Sequence, residues 1–259
     1  MADRAVDPSR LSEEEQAELL RLLEEENDYR DRRRFFDTFP DETTTVGGTT
    51  YWARDLYPKH MAFLAEGARR RERCFMAANR VGKTVTGAFE TTAHLTGLYP
   101  DWWEGRRFDR PIAAAAAGKT NETTRDVVQA ALFGPLTHVG ARRIPSGTGM
   151  IPARALKAQT WKSGVPDLID TARIEHVSGE CSTLCLKSYH QGRGVFEGVS
   201  FDVVWFDEEP PLDVYNEALI RTATTDGVTM LTFTPLDGVS ETVLSFMPGG
   251  DPDKRHVET

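Results

Sequence analysis

The sequence lacks any long hydrophobic run. No stretch approaches the ~18 to 20 apolar residues that a membrane-spanning helix requires, and the N-terminal MADRAVDPSR has no apolar core of the kind found in signal peptides. We therefore expect a soluble cytoplasmic protein with no membrane partner. Cysteine is scarce as well. The three thiols fit neither a disulfide framework nor a metal-ligand spacing, so we expect them buried or half-buried: Cys74, Cys181 and Cys185.

Positive net charge is also missing. The 259 residues include 31 Lys and Arg against 40 Asp and Glu, a formal net charge of -9. Proteins that passively coat DNA are normally basic, so the charge balance argues against that class. A negative net charge is nevertheless compatible with local basic patches. The run Arg69–Arg73 is either a DNA-contacting patch or a solvated turn before the first core strand.

Residues 1–48 predict a helical arm and a linker ahead of a main body at 49–259. A helix is expected over about 11–36, with Ser12 as N-cap and Glu15 completing a capping box. The Thr- and Gly-rich stretch DETTTVGGTT separates it from the body. The helix is either an accessory element packed on the core or a docking arm for a partner protein. Its apolar face would consist of four leucines, Leu19, Leu20, Leu22 and Leu23.

Strand and helix patterns alternate through the main body. Buried strands are predicted for CFMAA, PIAAAAAG, FDVVWF and GVTMLTFTP, and helices for TVTGAFETTAHLTGLY, NETTRDVVQAALF and PLDVYNEALIRTAT. IDTARIEHVSG and STLCLKSYH suggest a hairpin, and the Gly, Pro and basic residues between Gly140 and Gly179 predict long loops. The alternation indicates an α/β fold with a mostly parallel sheet, flanked by helices, that places ligands at the carboxyl ends of its strands.

The stretch AANRVGKT has the residues of a phosphate-binding loop between a predicted strand and a predicted helix. Such a loop needs backbone N–H groups at a helix N-terminus, a lysine for the phosphates and a hydroxyl for magnesium. Ala77 replaces the first glycine of the usual motif, which is tolerable where that position needs no positive φ. The residues expected to contact the nucleotide and its magnesium are Asn79, Arg80, Val81, Gly82, Lys83 and Thr84.

Two acids follow a buried strand in VVWFDEEP. Asp207 at the strand's tip could hold Mg²⁺ through water, and Glu208 is then placed to orient and deprotonate an attacking water. The alternative is an acid pair at the N-terminus of the following helix. Arg80, within the loop, could stabilise charge on the γ-phosphate, or it could pair with an acid that shapes the loop.

Together, AANRVGKT, GRGVFEGVSFDVVWFDEEPP and TFTP resemble the ATPase domain of the large terminase subunit of tailed phages, over about residues 50–245. The resemblance implies a P-loop NTPase fold and an ATP- and Mg²⁺-dependent motor that translocates double-stranded DNA into a capsid. It also implies the roles of individual residues: Arg80 as the loop arginine, Lys83 and Thr84 as phosphate and metal contacts, Asp207 as the metal-site acid, Glu208 as the catalytic carboxylate, and Thr232 and Thr234 as parts of a motif that couples hydrolysis to movement.

The implied partners are double-stranded DNA, the portal protein and the small terminase subunit, in the cytoplasm of an infected bacterium. A homo-oligomeric ring is implied for the working motor, with the isolated chain mainly monomeric. Large terminases carry an RNase H-like nuclease domain after the ATPase, whereas this sequence stops at HVET, so we expect no DNA cleavage from it. Two other functions stay open: a helicase-like remodelling ATPase and a nucleotide-dependent capsid-assembly module.

The sequence departs from the family at the adenine-reading position upstream of the loop, where a Gln or similar group is common. Tyr57 and His60 in LYPKHMAF are candidates for this contact, with ordinary core positions as the alternative. Arg142 and Arg143 follow the second predicted helix on a Gly-bounded segment and are candidates for an arginine inserted in trans at a neighbour's γ-phosphate. A structural ion pair or a DNA contact is the alternative for each.

Overall fold

The fold was analysed in a computed structural model that describes residues 11–46, 48–140, 142–235, 240–247 and 254–258. It begins with helix α1 (Glu13–Asp37). The predicted cap is confirmed: the Glu15 amide donates to the Ser12 hydroxyl at 3.3 Å, and the Ser12 amide donates to the Glu15 carboxylate at 2.8 Å. These bonds satisfy two amides that a helix N-terminus otherwise leaves without partners.

Helix α1 contacts the core through its C-terminal end. Phe35 is fully buried and stacks on Phe89 with ring centroids 4.5 Å apart. The predicted leucine face does not pack in this way, because Leu20, Leu22 and Leu23 are 61%, 48% and 44% exposed. Of the two interpretations of the arm, packing on the core therefore holds for Phe35 in the last turn of the helix and fails for the leucine-bearing part.

A hairpin lies across the predicted boundary at residue 48. It pairs β1 (Thr44–Val46) with β2 (Thr49–Tyr51) in antiparallel register. The division into an arm and a main body stays a prediction. The chain then continues through a 3-10 turn at Arg54–Leu56, helix α2 (Pro58–Ala65) and a second 3-10 turn at Glu66–Ala68.

The central sheet has eight strands among the described residues. Six strands pair in parallel: β3 (Glu72–Met76), β4 (Ala113–Gly118), β9 (Cys181–Ser188), β10 (Val203–Asp207), β11 (Val228–Phe233) and β12 (Lys254–Glu258). Two strands add in antiparallel fashion at one edge: β7 (Leu156–Trp161) and β8 (Ile169–Glu175). The order is β12-β3-β11-β10-β4-β9-β8-β7, which confirms the mostly parallel α/β sheet.

Helices follow the parallel strands, as the alternation predicted. They are α3 (Lys83–Thr96), α4 (Asn121–Thr123) continued by a π-helical stretch (Thr124–Gln129) and α5 (Ala130–Phe133), α6 (Leu212–Ala223), and α7 (Glu241–Phe246). None of the described helices is long and apolar enough to cross a bilayer. Short 3-10 turns lie at Ala153–Ala155, Tyr189–Gln191 and Arg193–Phe196.

The prediction of long loops between Gly140 and Gly179 is wrong in part. This region contains β6 (Arg142–Pro145), paired with β5 (Leu136–Val139), and it contains β7, paired with the predicted β8. Every residue of β7 is exposed or only partly buried, because the strand lies at the edge of the sheet. An edge strand can be polar on both faces, so it carries none of the apolar pattern that marks a buried strand.

Strand β10 places its side chains alternately in two cores. Val203 and Trp205 face the layer that contains α3, and Val204 and Phe206 face the layer that contains α6. All four side chains have zero exposure. This two-sided burial confirms the interpretation of VVWF as a central strand and fixes the strand end, where Asp207 follows, at the carboxyl edge of the sheet.

Neither the DNA-contacting patch nor the solvated turn proposed for the run Arg69–Arg73 holds for its last residue. Arg73 is fully buried, and its guanidinium lies 2.6 Å from the Glu90 carboxylate and 2.8 Å from the Phe63 carbonyl. Burial raises the pKa of Glu90, but the Arg73 charge and the bonds from Arg73 and His94 outweigh it and hold this pKa below its ordinary value. The pair joins β3 to α3, so Arg73 is a core residue and is not available to DNA.

We expect Arg73→Met to lower the free energy of unfolding by about 3–5 kcal/mol, because it leaves the Glu90 charge buried without its partner. Denaturant unfolding measures the loss. Lys157→Met is the matched control: it breaks the Lys157–Glu175 pair, in which both side chains are 44% exposed, and should cost about 0–1 kcal/mol. Equal losses in the two variants would contradict a structural role for the buried pair.

Candidate active site at the carboxyl edge of the sheet

The candidate site forms where three neighbouring parallel strands end. Strand β11 lies between β3 and β10, with Phe233 paired to Met76 and Thr232 paired to Asp207. The loop that leaves β3 toward α3, the acids that end β10 and the threonines that end β11 therefore meet at one edge. This edge is the position at which parallel α/β sheets bind ligands.

The loop after β3 has the backbone of a phosphate cradle. Gly82 caps α3 with φ 89°, and Arg80 also has a positive φ of 65°. A Cβ on Gly82 would lie 3.2 Å from the His60 ring, so glycine suits both the conformation and the space. Ala77 has no positive φ, and its amide donates to Phe233 O at 3.3 Å. This geometry explains why alanine can stand in place of the usual first glycine.

The Lys83 ammonium lies inside the mouth of the loop. It donates to Ala77 O at 3.0 Å, to Ala78 O at 2.6 Å and to the Thr234 hydroxyl at 2.9 Å. Burial lowers the pKa of Lys83, and the two nearby carboxylates oppose this shift. The loop thus holds a positive charge at the helix N-terminus, where the backbone amides also favour an anion.

The Asp207 carboxylate joins the loop to β11. Its Oδ1 accepts hydrogen bonds from the Thr84 and Thr232 hydroxyls, both at 2.9 Å. Burial raises the pKa of Asp207 to about 6, although the two threonine bonds lower it. The Trp205 indole donates to the Thr232 hydroxyl at 2.8 Å, so the proton of that hydroxyl is free to go to Asp207.

These oxygens suit a magnesium ion. A hydroxyl and a carboxylate are hard ligands, and Mg²⁺ in proteins usually keeps several waters beside one or two carboxylates and substrate phosphates. Thr84 and Asp207 already lie in contact, with Oδ1 engaged by hydroxyl donors. The donor set therefore fits the ion that the loop motif implies.

Glu208 occupies a strained backbone conformation. Its φ is 73°, which costs a non-glycine residue about 1–2 kcal/mol, and its side chain is exposed. Its amide donates to Thr232 O at 3.0 Å. Helix α6 begins only at Leu212, and the acid in its first turn is Asp213. Glu208 is therefore not a helix N-terminal acid, which removes the structural alternative for it.

Thr234, just after β11, contacts the loop directly. Besides the bond from Lys83, the Thr234 hydroxyl donates to the Asn79 side-chain oxygen at 2.7 Å. Thr232 and Thr234 thus connect to opposite parts of the site, one to the acid and one to the loop. Lys83 and Asp207 are therefore both hydrogen-bonded to residues at the end of β11.

The structure separates the candidate arginines. Arg80 is exposed and makes no hydrogen bond or ion pair with the residues that the structure describes. Arg143 forms an ion pair with Asp167 at 2.9 Å, as the structural alternative predicted. Arg142 pairs with Val139 in the β5–β6 hairpin, and its side chain lies outside the described residues. The Gly-bounded segment expected there is this hairpin.

The two candidate base contacts occupy different environments. His60 is buried, lies 2.8 Å from Val81 O through Nε2, and has its pKa lowered by burial. The buried His60 ring therefore contacts the backbone of the loop at Val81. Tyr57 instead lines an open cleft of about 960 Å³ that also reaches Val85 on α3 and the exposed Trp52.

Two residues near the acids were not predicted as site residues. Trp205 lies against α3 at Gly87, where a Cβ would come 2.3 Å from the indole nitrogen. The Tyr189 hydroxyl contacts the carbonyl groups of Ala117, Asp207 and Glu208. Burial, with the nearby acids, raises the pKa of Tyr189 well above its ordinary value, so it stays a donor. The only sequence signal is an aromatic residue at each of these positions.

The family described as "Terminase large subunit, T4likevirus-type, N-terminal" matches residues 74–250. The large terminase subunit of Salmonella phage P22 is 36% identical over 256 residues, covering 92% of this chain and 47% of that protein. Among solved structures, the large terminase of a thermophilic bacteriophage covers 78% of this chain and 45% of its own, with a TM-score of 0.50 and 14% identity.

The large terminase ATPase domain of Thermus phage P74-26 covers 77% of this chain and 78% of its own, with a TM-score of 0.45 and 15% identity. The chain spans about half the length of the phage P22 relative. The profile match covers more than half of the chain, and the phage P22 relative exceeds 30% identity over nearly all of it. The chain therefore belongs to the large terminase subunit family, in its N-terminal region.

Proposed function

We propose that this chain is an ATPase motor that hydrolyses ATP with Mg²⁺ to translocate double-stranded DNA into a viral capsid. The observation that carries the proposal is the convergence of Lys83, Thr84, Asp207 and Glu208 at one sheet edge. A phosphate cradle, a metal-site acid and an adjacent exposed carboxylate are the parts that phosphoryl transfer to water requires. Membership of the large terminase family supports the motor role.

Each side chain has a defined task in this proposal. The loop amides and Lys83 would hold the β- and γ-phosphates, and Thr84 and Asp207 would hold the metal. When bound, magnesium neutralises charge that develops on the phosphate oxygens. Glu208 orients a water and accepts its proton, which places the carboxylate in the role of a general base.

Arg80 supplies the additional cation. It is exposed, has a left-handed backbone and makes no hydrogen bond or ion pair with the described residues, so its side chain is available to a γ-phosphate. A guanidinium stabilises charge on the equatorial oxygens of the transferring phosphoryl group. An arginine inserted from a neighbouring subunit stays a proposal for Arg142 and Arg143, and the Asp167 ion pair would have to break for Arg143 to take that role.

The cleft beside the loop suits the base of the nucleotide. Tyr57, Trp52 and Val85 give it apolar and aromatic surface, and it opens at the first turn of α3. Ligand pockets combine such surfaces with a few polar groups, here including Arg34 and Asp37. We propose that Tyr57 contacts the base and that His60 acts indirectly, by supporting Val81.

The wider assembly follows the family. We propose double-stranded DNA, a portal protein and a small terminase subunit as partners, with a homo-oligomeric ring as the working state in the host cytoplasm. Stimulation of ATP hydrolysis by double-stranded DNA without strand separation is the experiment that tests the motor. Strand separation would favour a helicase-like ATPase, and hydrolysis indifferent to DNA would favour an assembly module.

We expect Glu208→Gln to bind ATP normally and to hydrolyse it about 100-fold more slowly or worse, because the loop stays intact while the base is lost. Nucleotide affinity and single-turnover hydrolysis measure the two effects separately. Lys83→Ala is the matched comparison and should lose binding as well, because the phosphate charge is then uncompensated. Loss of ATP binding in Glu208→Gln would assign that residue a structural role.

The pH dependence of ATP hydrolysis should follow the ionisation of the Asp207 carboxyl group. Its ionised form is the one that can hold the metal, and its pKa is raised to about 6. The value of kcat/KM, which reflects the free enzyme, should therefore fall as the pH drops through about 6. Thr232→Val removes a bond that lowers this pKa, so the acid limb should move to higher pH.

Thr229→Val is the control for this shift. Thr229 is a buried threonine on the same strand, with its hydroxyl near Thr222 and not near Asp207. Its acid limb should match that of the wild type. An acid limb that Thr232→Val leaves unmoved would show that Asp207 does not control the profile.

A further inference from the structure

The hydroxyl of Tyr189 lies among three backbone carbonyls at the end of β10. It is 3.1 Å from Ala117 O and 2.9 Å from Glu208 O, and it also contacts Asp207 O. The side chain is 4% exposed, and its ring packs on Phe206 at 5.7 Å. No reacting atom of the proposed site touches this hydroxyl, so its effect must pass through the backbone.

Two of these carbonyls belong to consecutive residues, which is unusual. In an extended strand, successive carbonyls point in opposite directions along the hydrogen-bonding plane. Asp207 O and Glu208 O reach one hydroxyl because Glu208 leaves the strand with a φ of 73°. The hydroxyl can therefore contact both carbonyls only while Glu208 keeps its left-handed conformation, since an extended Glu208 would point its carbonyl away from Tyr189.

Hydrogen bonds of its neighbouring residues anchor Tyr189 to the central sheet. It follows the last residue of β9, and the adjacent His190 amide donates to Lys119 O at 3.1 Å, just beyond β4. The preceding Ser188 hydroxyl donates to the Asn121 side chain at 2.9 Å. These bonds tie the tyrosine to the ends of β9 and of β4, the strand that lies between β9 and β10, so its hydroxyl has a fixed position.

We propose that Tyr189 is a positioning residue that holds Glu208 in its left-handed conformation and thereby aims its carboxylate at the attacking water. The Glu208 amide is already held by Thr232 O on β11, and the Tyr189 hydroxyl, whose single proton is shared with Ala117 O and Asp207 O, lies 2.9 Å from the Glu208 carbonyl oxygen. With the amide and the carbonyl of Glu208 restrained, the exposed side chain is the part of this residue that can still change conformation. This role rests on the proposed ATPase function, because it gives Glu208 its catalytic task.

Tyr189→Phe removes one oxygen and keeps the ring. We expect kcat for ATP hydrolysis to fall by about tenfold to 100-fold, as for a misplaced catalytic group, while the Kd for ATP changes less than about twofold because the loop is untouched. Tyr215→Phe is the matched control. Tyr215 is a fully buried tyrosine in the same core layer, whose hydroxyl bonds Glu72 instead. Wild-type kcat in Tyr189→Phe would overturn the proposal.

A double variant separates positioning from general damage. If Tyr189 acts through the Glu208 carboxylate, then Tyr189→Phe should lower the residual turnover of Glu208→Gln by less than about twofold, since coupled residues are non-additive. A loss equal to that seen in the wild-type background would overturn the proposal, because it would mean that Tyr189 acts independently of Glu208.

Hydrogen exchange tests whether Tyr189 restrains the turn at Glu208, and this measurement requires no ATPase activity. In Tyr189→Phe, the Glu208 amide should exchange about tenfold faster or more, while the amides of Val204–Phe206 keep their wild-type rates. An unchanged Glu208 rate would overturn the proposed restraint. A wild-type chain that does not hydrolyse ATP would contradict the proposed function, and the exchange result would still decide whether Tyr189 holds the turn.

If Tyr189→Phe fails to fold, Glu208→Gly provides the second test. Glycine adopts a φ of 73° without strain, so Glu208→Gly should restore folding to Tyr189→Phe when the lost function is restraint of this turn. Thermal unfolding followed by circular dichroism measures the rescue. Failure of Glu208→Gly to restore folding would overturn the proposal.

Discussion

The site depends on one carboxylate oxygen that accepts two hydrogen bonds. Asp207 Oδ1 joins Thr84 from the phosphate loop and Thr232 from β11, and each bond is 2.9 Å long. Three chain segments that are far apart in sequence are thereby held at one edge of the sheet. The two hydrogen bonds also affect the protonation of Asp207. Burial raises the pKa of Asp207 to about 6, and the two hydroxyls offset part of that rise.

The second constraint is the backbone turn that follows Asp207. A strand that continued in extended form would place the Glu208 side chain according to the alternation of the sheet. The left-handed residue breaks this alternation, and it leaves the Glu208 carboxylate exposed beside the buried Asp207 carboxylate. Two neighbouring acids thus have different environments, as the proposed division between metal binding and proton acceptance requires.

Sequence reasoning predicted the parts of the fold and site that rest on local pattern. The capping box at Ser12, the two-sided burial of VVWF and the glycine loop each depend on residues close together in the chain. It failed where the outcome depends on distant partners. Arg73 belongs to a charged run, yet it is buried because Glu90 reaches it from α3. Tyr189 contacts Asp207 and Glu208 only because β9 pairs with β4, the strand next to β10.

The arrangement of the site can be tested by a structure of the chain with a non-hydrolysable ATP analogue and Mg²⁺. We expect the γ-phosphate at Lys83, the metal in contact with the Thr84 hydroxyl and on the Asp207 side of the phosphates, and an ordered water beside Glu208 in line with the γ-phosphorus. A nucleotide bound away from the loop, or a metal that touches neither Thr84 nor a water held by Asp207, would contradict this arrangement.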